Sequence, residues 1–153
     1  MTDLENVREL GIDIDATYSW SVGASMERFV RGLADRRLLG ARCPKCSRVL
    51  VPPRKVCERC FVETDEWVEV GPGGTVVSFT VGEVELDGKA GGFKDLDVPV
   101  VTGLIKPDGA DTAFVHVIGE ADPREVACSM RVEAVWADEA GGALSDLRYF
   151  KPL

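Results

Sequence analysis

Four of the five cysteines fall into two matched pairs, Cys43-Pro44-Lys45-Cys46 and Cys57-Glu58-Arg59-Cys60, with ten residues between them. A C-x-x-C pair folds into a tight knuckle that points both sulfurs at one centre, and two knuckles complete a tetrahedron of thiolates. That donor set suits Zn²⁺. Iron held by four thiolates has the same spacing, and ligand softness does not separate the two. A closed four-sulfur shell leaves no position for water or substrate, so the expected metal is structural rather than catalytic. A pair of redox dithiols is the alternative, and two pairs matched at this spacing argue against it.

The remaining residues offer no obvious catalytic set. His116 is the single histidine and lies between Val115 and Val117 in a strand-like run. A Cys–His nucleophilic pair with Cys128 can be drawn. The plainer expectation is a strand histidine satisfied by a hydrogen bond and a small buried thiol with no cation-rich neighbourhood in sequence. Glu83, Glu85, Asp95 and Asp97 flank a glycine-rich stretch and are expected to be solvated. No nucleophile elbow, phosphate loop or dinucleotide fingerprint is present.

Charge is unevenly spread. The chain has 153 residues and a net charge of −8, yet residues 28–60 carry ten Lys/Arg against Asp35 and Glu58. A basic module on an acidic body invites an anionic ligand or an acidic partner surface. It also offsets the charge of about −2 on a zinc tetrathiolate. The overall acidity argues against a nucleic-acid module, because phosphate contacts supply most of that affinity. No stretch approaches the ~20 apolar residues of a membrane span. The acidic start, Met1-Thr2-Asp3-Leu4-Glu5, lacks the apolar core of a signal peptide, so the expected location is the cytoplasm. Five cysteines in that compartment point to metal or free thiols before disulfides.

The elements that must position these residues follow from periodicity. Residues 1–19 read as an irregular extension. Met26, Phe29, Val30, Leu33 and Leu38 fall on one side at helical spacing, opposite Glu27, Arg28, Arg31 and Asp35. Ser25 is a candidate N-cap, Gly40 a candidate stop and Trp20 a candidate anchor for this helix. The helix is expected to cover its own domain rather than to dock elsewhere. Strand-like runs follow at 67–70, 75–81, 98–106, 113–118, 130–137 and 144–150, with a polar loop at 85–97 and one helical turn opened by Asp122-Pro123. Short strands punctuated by Gly and Pro suggest a small barrel or sandwich.

Several strings match a known family. They are Leu38–Cys46, Val51-Pro52-Pro53-Arg54, Trp67–Val70, Gly74–Thr80 and Tyr149-Phe150-Lys151-Pro152. Over roughly residues 18–153 the chain resembles the zinc-ribbon/OB-fold proteins associated with acyl-CoA enzymes. The resemblance implies a mainly β chain with an N-terminal amphipathic helix, a rubredoxin-like zinc ribbon and a C-terminal OB-fold barrel, divided at 1–40, 41–66 and 67–153. It implies Cys43, Cys46, Cys57 and Cys60 as metal ligands and no catalytic residue of the chain's own. It further implies a non-catalytic accessory subunit docked on a larger thiolase-like or hydratase-like enzyme. Benzoylsuccinyl-CoA thiolase is one candidate type. On that view Arg42, Arg48, Arg54, Lys55 and Arg59 are candidates for the phosphates of a coenzyme A thioester, where Arg forms planar bidentate contacts. Two positions depart from the family pattern, Ser47 after the second cysteine and Ser129 before Met130, both often Gly. The competing expectations are a nucleic-acid-binding ribbon/OB module and a stand-alone thioesterase using His116 and Cys128.

Overall fold

The structure is a computed structural model that describes residues 19, 21–86 and 93–153. The extension 1–18, the candidate anchor Trp20 and residues 87–92 lie outside the described residues. Among the described residues, one α-helix, α1 (Gly23–Ala34), precedes eight strands: β1 (Leu38–Arg42), β2 (Val49–Leu50), β3 (Glu66–Val70), β4 (Gly73–Leu86), β5 (Phe93–Pro107), β6 (Phe114–Ile118), β7 (Arg131–Trp136) and β8 (Leu147–Pro152).

Helix α1 buries Phe29, Gly32 and Leu33, the face its apolar spacing marks. Its ends differ from the sequence expectation. Val22, not Ser25, occupies the N-cap position, and no side chain caps the helix. The helix ends at Ala34, well before Gly40. Arg36 turns left-handed (φ 56°). Its N–H then donates to the Leu33 carbonyl (2.9 Å), and that of Arg37 donates to the Gly32 carbonyl (2.9 Å). These are the two bonds of a Schellman closure, here with arginine at the usual glycine position. Leu38 therefore opens β1 instead of extending the helix. Gly40 sits mid-strand, where a Cβ would lie 2.7 Å from Val49 and 3.0 Å from Val51. Its role is close strand approach, not helix termination.

Strands β2, β1 and β3 form an antiparallel sheet in that order, with Ala41 opposite both Leu50 and Trp67. The other five strands close a barrel in the order β4-β5-β6-β8-β7, with β7 returning to β4. All contacts are antiparallel except β6 with β8, which meet in parallel at Ile118 and Phe150. This is the Greek-key order of an OB-type barrel. Alternate residues fill it: Val76, Val101, Ile105, Ile118, Val132 and Phe150 are all buried.

Of the polar loop expected at 85–97, the described residues 85–86 and 93–97 are strand, and 87–92 lie outside the described residues. β4 and β5 continue as a paired ribbon, with Val84 opposite Asp95 and Glu85 opposite Lys94. The alternation of acids with Val and Leu is a period-2 strand signal that charge density masks. The register shifts between Gly82 and Val84, and Pro99 lies in the stretch left unpaired there. The expected strand 144–150 begins later, because Leu144–Asp146 forms a 3-10 turn. Buried Asp146 accepts N–H bonds from Gly141 (3.1 Å), Gly142 (2.8 Å) and Ala143 (3.0 Å). Its carboxyl is held below the usual range, first by the Gly141 N–H.

One core runs from helix to barrel. Phe29, Leu33, Leu38, Val49, Val51 and Val70 belong to the same buried cluster as Val76, Ile105 and Phe150. Polar bonds reinforce that junction. Asp111 and Thr112, between β5 and β6, tie to β2 and the residue after it, largely through their side chains. The Val49 N–H donates to Asp111 Oδ2 (2.9 Å), and the Asp111 N–H donates to the Val49 carbonyl (2.9 Å). The Val51 N–H donates to Thr112 Oγ1 (2.7 Å), which donates back to the Val51 carbonyl (2.9 Å).

Candidate metal centre

Each C-x-x-C pair is built by the same backbone device. In the first knuckle the Ser47 N–H donates to the Cys43 carbonyl (2.9 Å), and the Cys43 N–H donates to the Arg48 carbonyl (2.9 Å). In the second, the Phe61 N–H donates to the Cys57 carbonyl and the Cys57 N–H to the Val62 carbonyl, both at 2.9 Å. The residue after each second cysteine must turn left-handed: Ser47 has φ 61° and Phe61 φ 54°. Ser129, the other departure from the family pattern, has φ 70°. Both serines therefore stand where glycine carries the least backbone strain.

The two knuckles face each other. The sulfurs of Cys43, Cys46, Cys57 and Cys60 all lie within 4.8 Å of one another, with Cys46 and Cys57 at 3.9 Å. Cys43 and Cys57 are fully buried, packed with Leu50 in a small cluster edged by Val62. This cluster is separate from the main core. The ribbon, with one knuckle between β1 and β2 and the other between β2 and β3, thus holds its shape around sulfur, where a segment this short cannot build a core of its own.

Electrostatics favour a cation at this point. Burial resists charge on Cys43. Backbone groups of Cys46 and Lys45, then the thiols of Cys46 and Cys57, outweigh that resistance and bring it down to about 7. Cys60 is pushed up to about 12, by burial first and then by the sulfurs of Cys46 and Cys43. Four thiols at this separation cannot all ionise without a compensating charge, and a divalent ion supplies it. The donor set therefore fits a zinc ribbon.

The five cations that the resemblance nominates for coenzyme A ring this ribbon. Four of them already hold acids. Arg42 Nε meets Glu66 at 3.0 Å, Arg48 Nη1 meets Glu58 at 2.6 Å, Arg54 Nη1 stands 3.9 Å from Glu58, and Lys55 Nζ is 3.5 Å from Glu63. Arg59 has no such partner among the described residues. Part of the basic character of residues 28–60 is spent locally in this way. Arg28 covers the Trp67 ring at 4.5 Å and ties α1 to β3.

His116 does not meet Cys128 in a hydrogen bond. Its ring packs edgewise against Phe114 (6.0 Å) and Phe150 (5.8 Å), and its Nδ1 accepts the Val117 N–H at 2.9 Å. Burial pushes its pKa below the ordinary value. Cys128 is not the buried thiol expected but is exposed in the segment before β7, outside both hydrophobic clusters. An apolar recess of about 400 Å³ lies beside His116, between α1 and the barrel, lined by Met26, Phe29, Leu33, Phe114 and Leu147 among others. Sequence reasoning singled out Ser47 and passed over Phe61. The signal was available, since both follow the second cysteine of their pair.

Comparison with known proteins agrees with this architecture. Residues 31–66 match the family model described as the ChsH2 rubredoxin-like zinc ribbon domain, and residues 67–137 match the ChsH2 C-terminal OB-fold domain. A relative from Methanocaldococcus jannaschii, described as a DUF35 domain-containing scaffold protein, is 27% identical over 123 residues, 76% of this chain and 82% of its own. A crystal structure of a DUF35-family protein of unknown function from Sulfolobus solfataricus superposes with a TM-score of 0.61 at 26% identity, covering 74% of this chain and 78% of that one. A chain of the structure described as Ltp2-ChsH2(DUF35) aldolase superposes with a TM-score of 0.63 over 88% of this chain and 98% of that one; at 20% identity it shows a shared fold. With a four-cysteine ribbon and a closed five-stranded barrel matched in tandem, this chain belongs to the ChsH2-type zinc-ribbon/OB-fold family, the DUF35 proteins.

Proposed function

We propose that this chain is a non-catalytic, zinc-stapled accessory subunit of an acyl-CoA-processing enzyme, with a thiolase-like carbon–carbon bond enzyme as its larger partner. The observation that carries this reading is the tandem family match over residues 31–137. One relative is described as a scaffold protein, and a structural neighbour belongs to an aldolase named for two components. Aldolases and thiolases both make or break carbon–carbon bonds, which supports that partner class over a hydratase-like one. Cys43, Cys46, Cys57 and Cys60 would hold the metal as thiolates. The ion supplies a crosslink between the two knuckles, and the chain's own residues present a fixed surface around it.

Coenzyme A is a proposed ligand of the assembly. Arg42, Arg48, Arg54, Lys55 and Arg59 remain its candidate phosphate contacts. Four of them would have to exchange a carboxylate for a phosphate, so their contribution is expected to be modest. The apolar recess beside α1 supports passage of an acyl group near this subunit. We place the complex in the cytoplasm; no described helix is long and apolar enough to cross a membrane.

Acyl-CoA turnover tests the division of labour. The isolated chain is expected to show none, and a complex carrying His116→Ala is expected to retain activity. Turnover by the chain alone that is lost in His116→Ala would overturn the reading in favour of a stand-alone thioesterase.

A further inference from the structure

Phe61 directly follows the last cysteine of the ribbon. It is 83% exposed and holds a φ of 54°. A bulky residue in the left-handed region is an outlier, and strain of this kind concentrates at functional positions. Glycine would satisfy the same backbone, and the equivalent residue of the first knuckle is the small Ser47. The ring therefore contributes little to the isolated fold by burial while making its turn harder to form. Val56, 44% exposed, adds a second apolar group just before Cys57, where it makes an isolated bridge to Glu63.

The charge of the two knuckles is specific. Lys45 and Arg59 occupy the same place in their two C-x-x-C pairs, and both are exposed. The neighbouring cations Arg42, Arg48, Arg54 and Lys55 hold glutamates, whereas Lys45 and Arg59 hold none among the described residues. An exposed aromatic with a small apolar neighbour and two unpaired cations has the composition of an interface anchor with a charged rim. Complementarity then specifies the other side as an apolar pocket edged by carboxylates. A nucleic acid could also stack on the ring, but two free cations on a chain of net charge −8 are a poor phosphate footprint.

We propose that the tip of the second knuckle is the docking anchor, with Phe61 entering a carboxylate-rimmed apolar pocket on the larger partner subunit. This deepens the accessory-subunit reading and rests on it.

The test uses the partner subunit that accompanies the wild-type chain, purified and titrated against variants. Phe61→Gly is expected to keep its metal and to melt no lower than wild type, because glycine suits the turn. It is expected to bind the partner at least about 30-fold more weakly, the scale of an aromatic hot spot. Lys45→Glu, outside the proposed coenzyme A set, is expected to slow association and reduce its salt dependence. Equal partner affinity for wild type and Phe61→Gly would overturn the anchor while leaving the accessory role intact. Weaker binding accompanied by metal loss or a lower melting temperature would assign Phe61 a structural role and also overturn it. So would a defect confined to self-association or oligonucleotide binding. If the wild-type chain has no larger partner, the accessory reading falls first and the anchor falls with it.

Discussion

Replacing one sulfur tests the ribbon at its smallest scale. Cys43→Ser is expected to abolish stoichiometric zinc and lower the melting temperature by more than about 10 °C, because metal binding and folding of such a segment are one event. Metal analysis and thermal melting check this together; full metal retention with unchanged melting would refute the ligand assignment. Ser129 offers an opposite case. Its left-handed backbone lies between two bonds to Val76, in which the Ser129 N–H donates to the Val76 carbonyl (2.8 Å) and the Val76 N–H donates to the Met130 carbonyl (3.0 Å). Ser129→Gly relieves the Cβ clash and is expected to stabilise the chain by about 1 kcal/mol in chemical denaturation. His116 sets a pH dependence. Burial lowers its folded pKa, so the unfolded chain takes up the proton first as pH falls. Its contribution is full above the unfolded value of about 6.5 and declines as pH falls from there toward the folded value. Melting curves from about pH 7.5 to about 5.5 should therefore show a decline that flattens in His116→Phe.

At the scale of elements, the junction between β2 and the 111–112 segment couples ribbon to barrel. Thr112→Val removes both bonds to Val51, one of them to a buried N–H, and is expected to cost about 1–3 kcal/mol. Hydrogen exchange should report the loss at Val51 before the barrel strands respond. The sequence carries some of these elements better than others. The cysteine knuckles are legible because their information is local: spacing alone fixes which sulfurs converge. Strand β7 is legible because buried Val132 and Ala134 alternate with Arg131 and Glu133. The end of α1 is not. Leu38 keeps the helical spacing, and the stop comes from an arginine in a glycine conformation, which no residue preference announces. Gly40 looks like a helix stop, yet its reason is the side chains of Val49 and Val51, known only once β2 is in place. Barrel closure rests on the parallel meeting of Ile118 with Phe150, 32 positions apart in the chain, and no local pattern encodes it. The strand character of Glu83–Leu86 and Asp95–Val98 is hidden by their acids, although these alternate with Val and Leu.

At the scale of the whole molecule, the basic ribbon and acidic body are less polarised than the sequence implies. Arg37, Arg42, Arg48 and Lys55 are paired with Glu69, Glu66, Glu58 and Glu63, so much of the positive charge is neutralised in place. Exposed pairs of this kind add little stability, and their effect is to narrow the free cationic surface. The chain thus consists of a sulfur-centred ribbon, a helix that shares the main core, and a barrel whose candidate histidine packs among aromatic rings. That arrangement suits a part that docks and shapes better than one that reacts. Native mass spectrometry of the tagged chain isolated from its own host tests this most directly. The expected result is a stoichiometric assembly with a larger thiolase-like subunit and one zinc ion per copy of this chain. Recovery of the chain alone, or with nucleic acid in place of an enzyme, would contradict it.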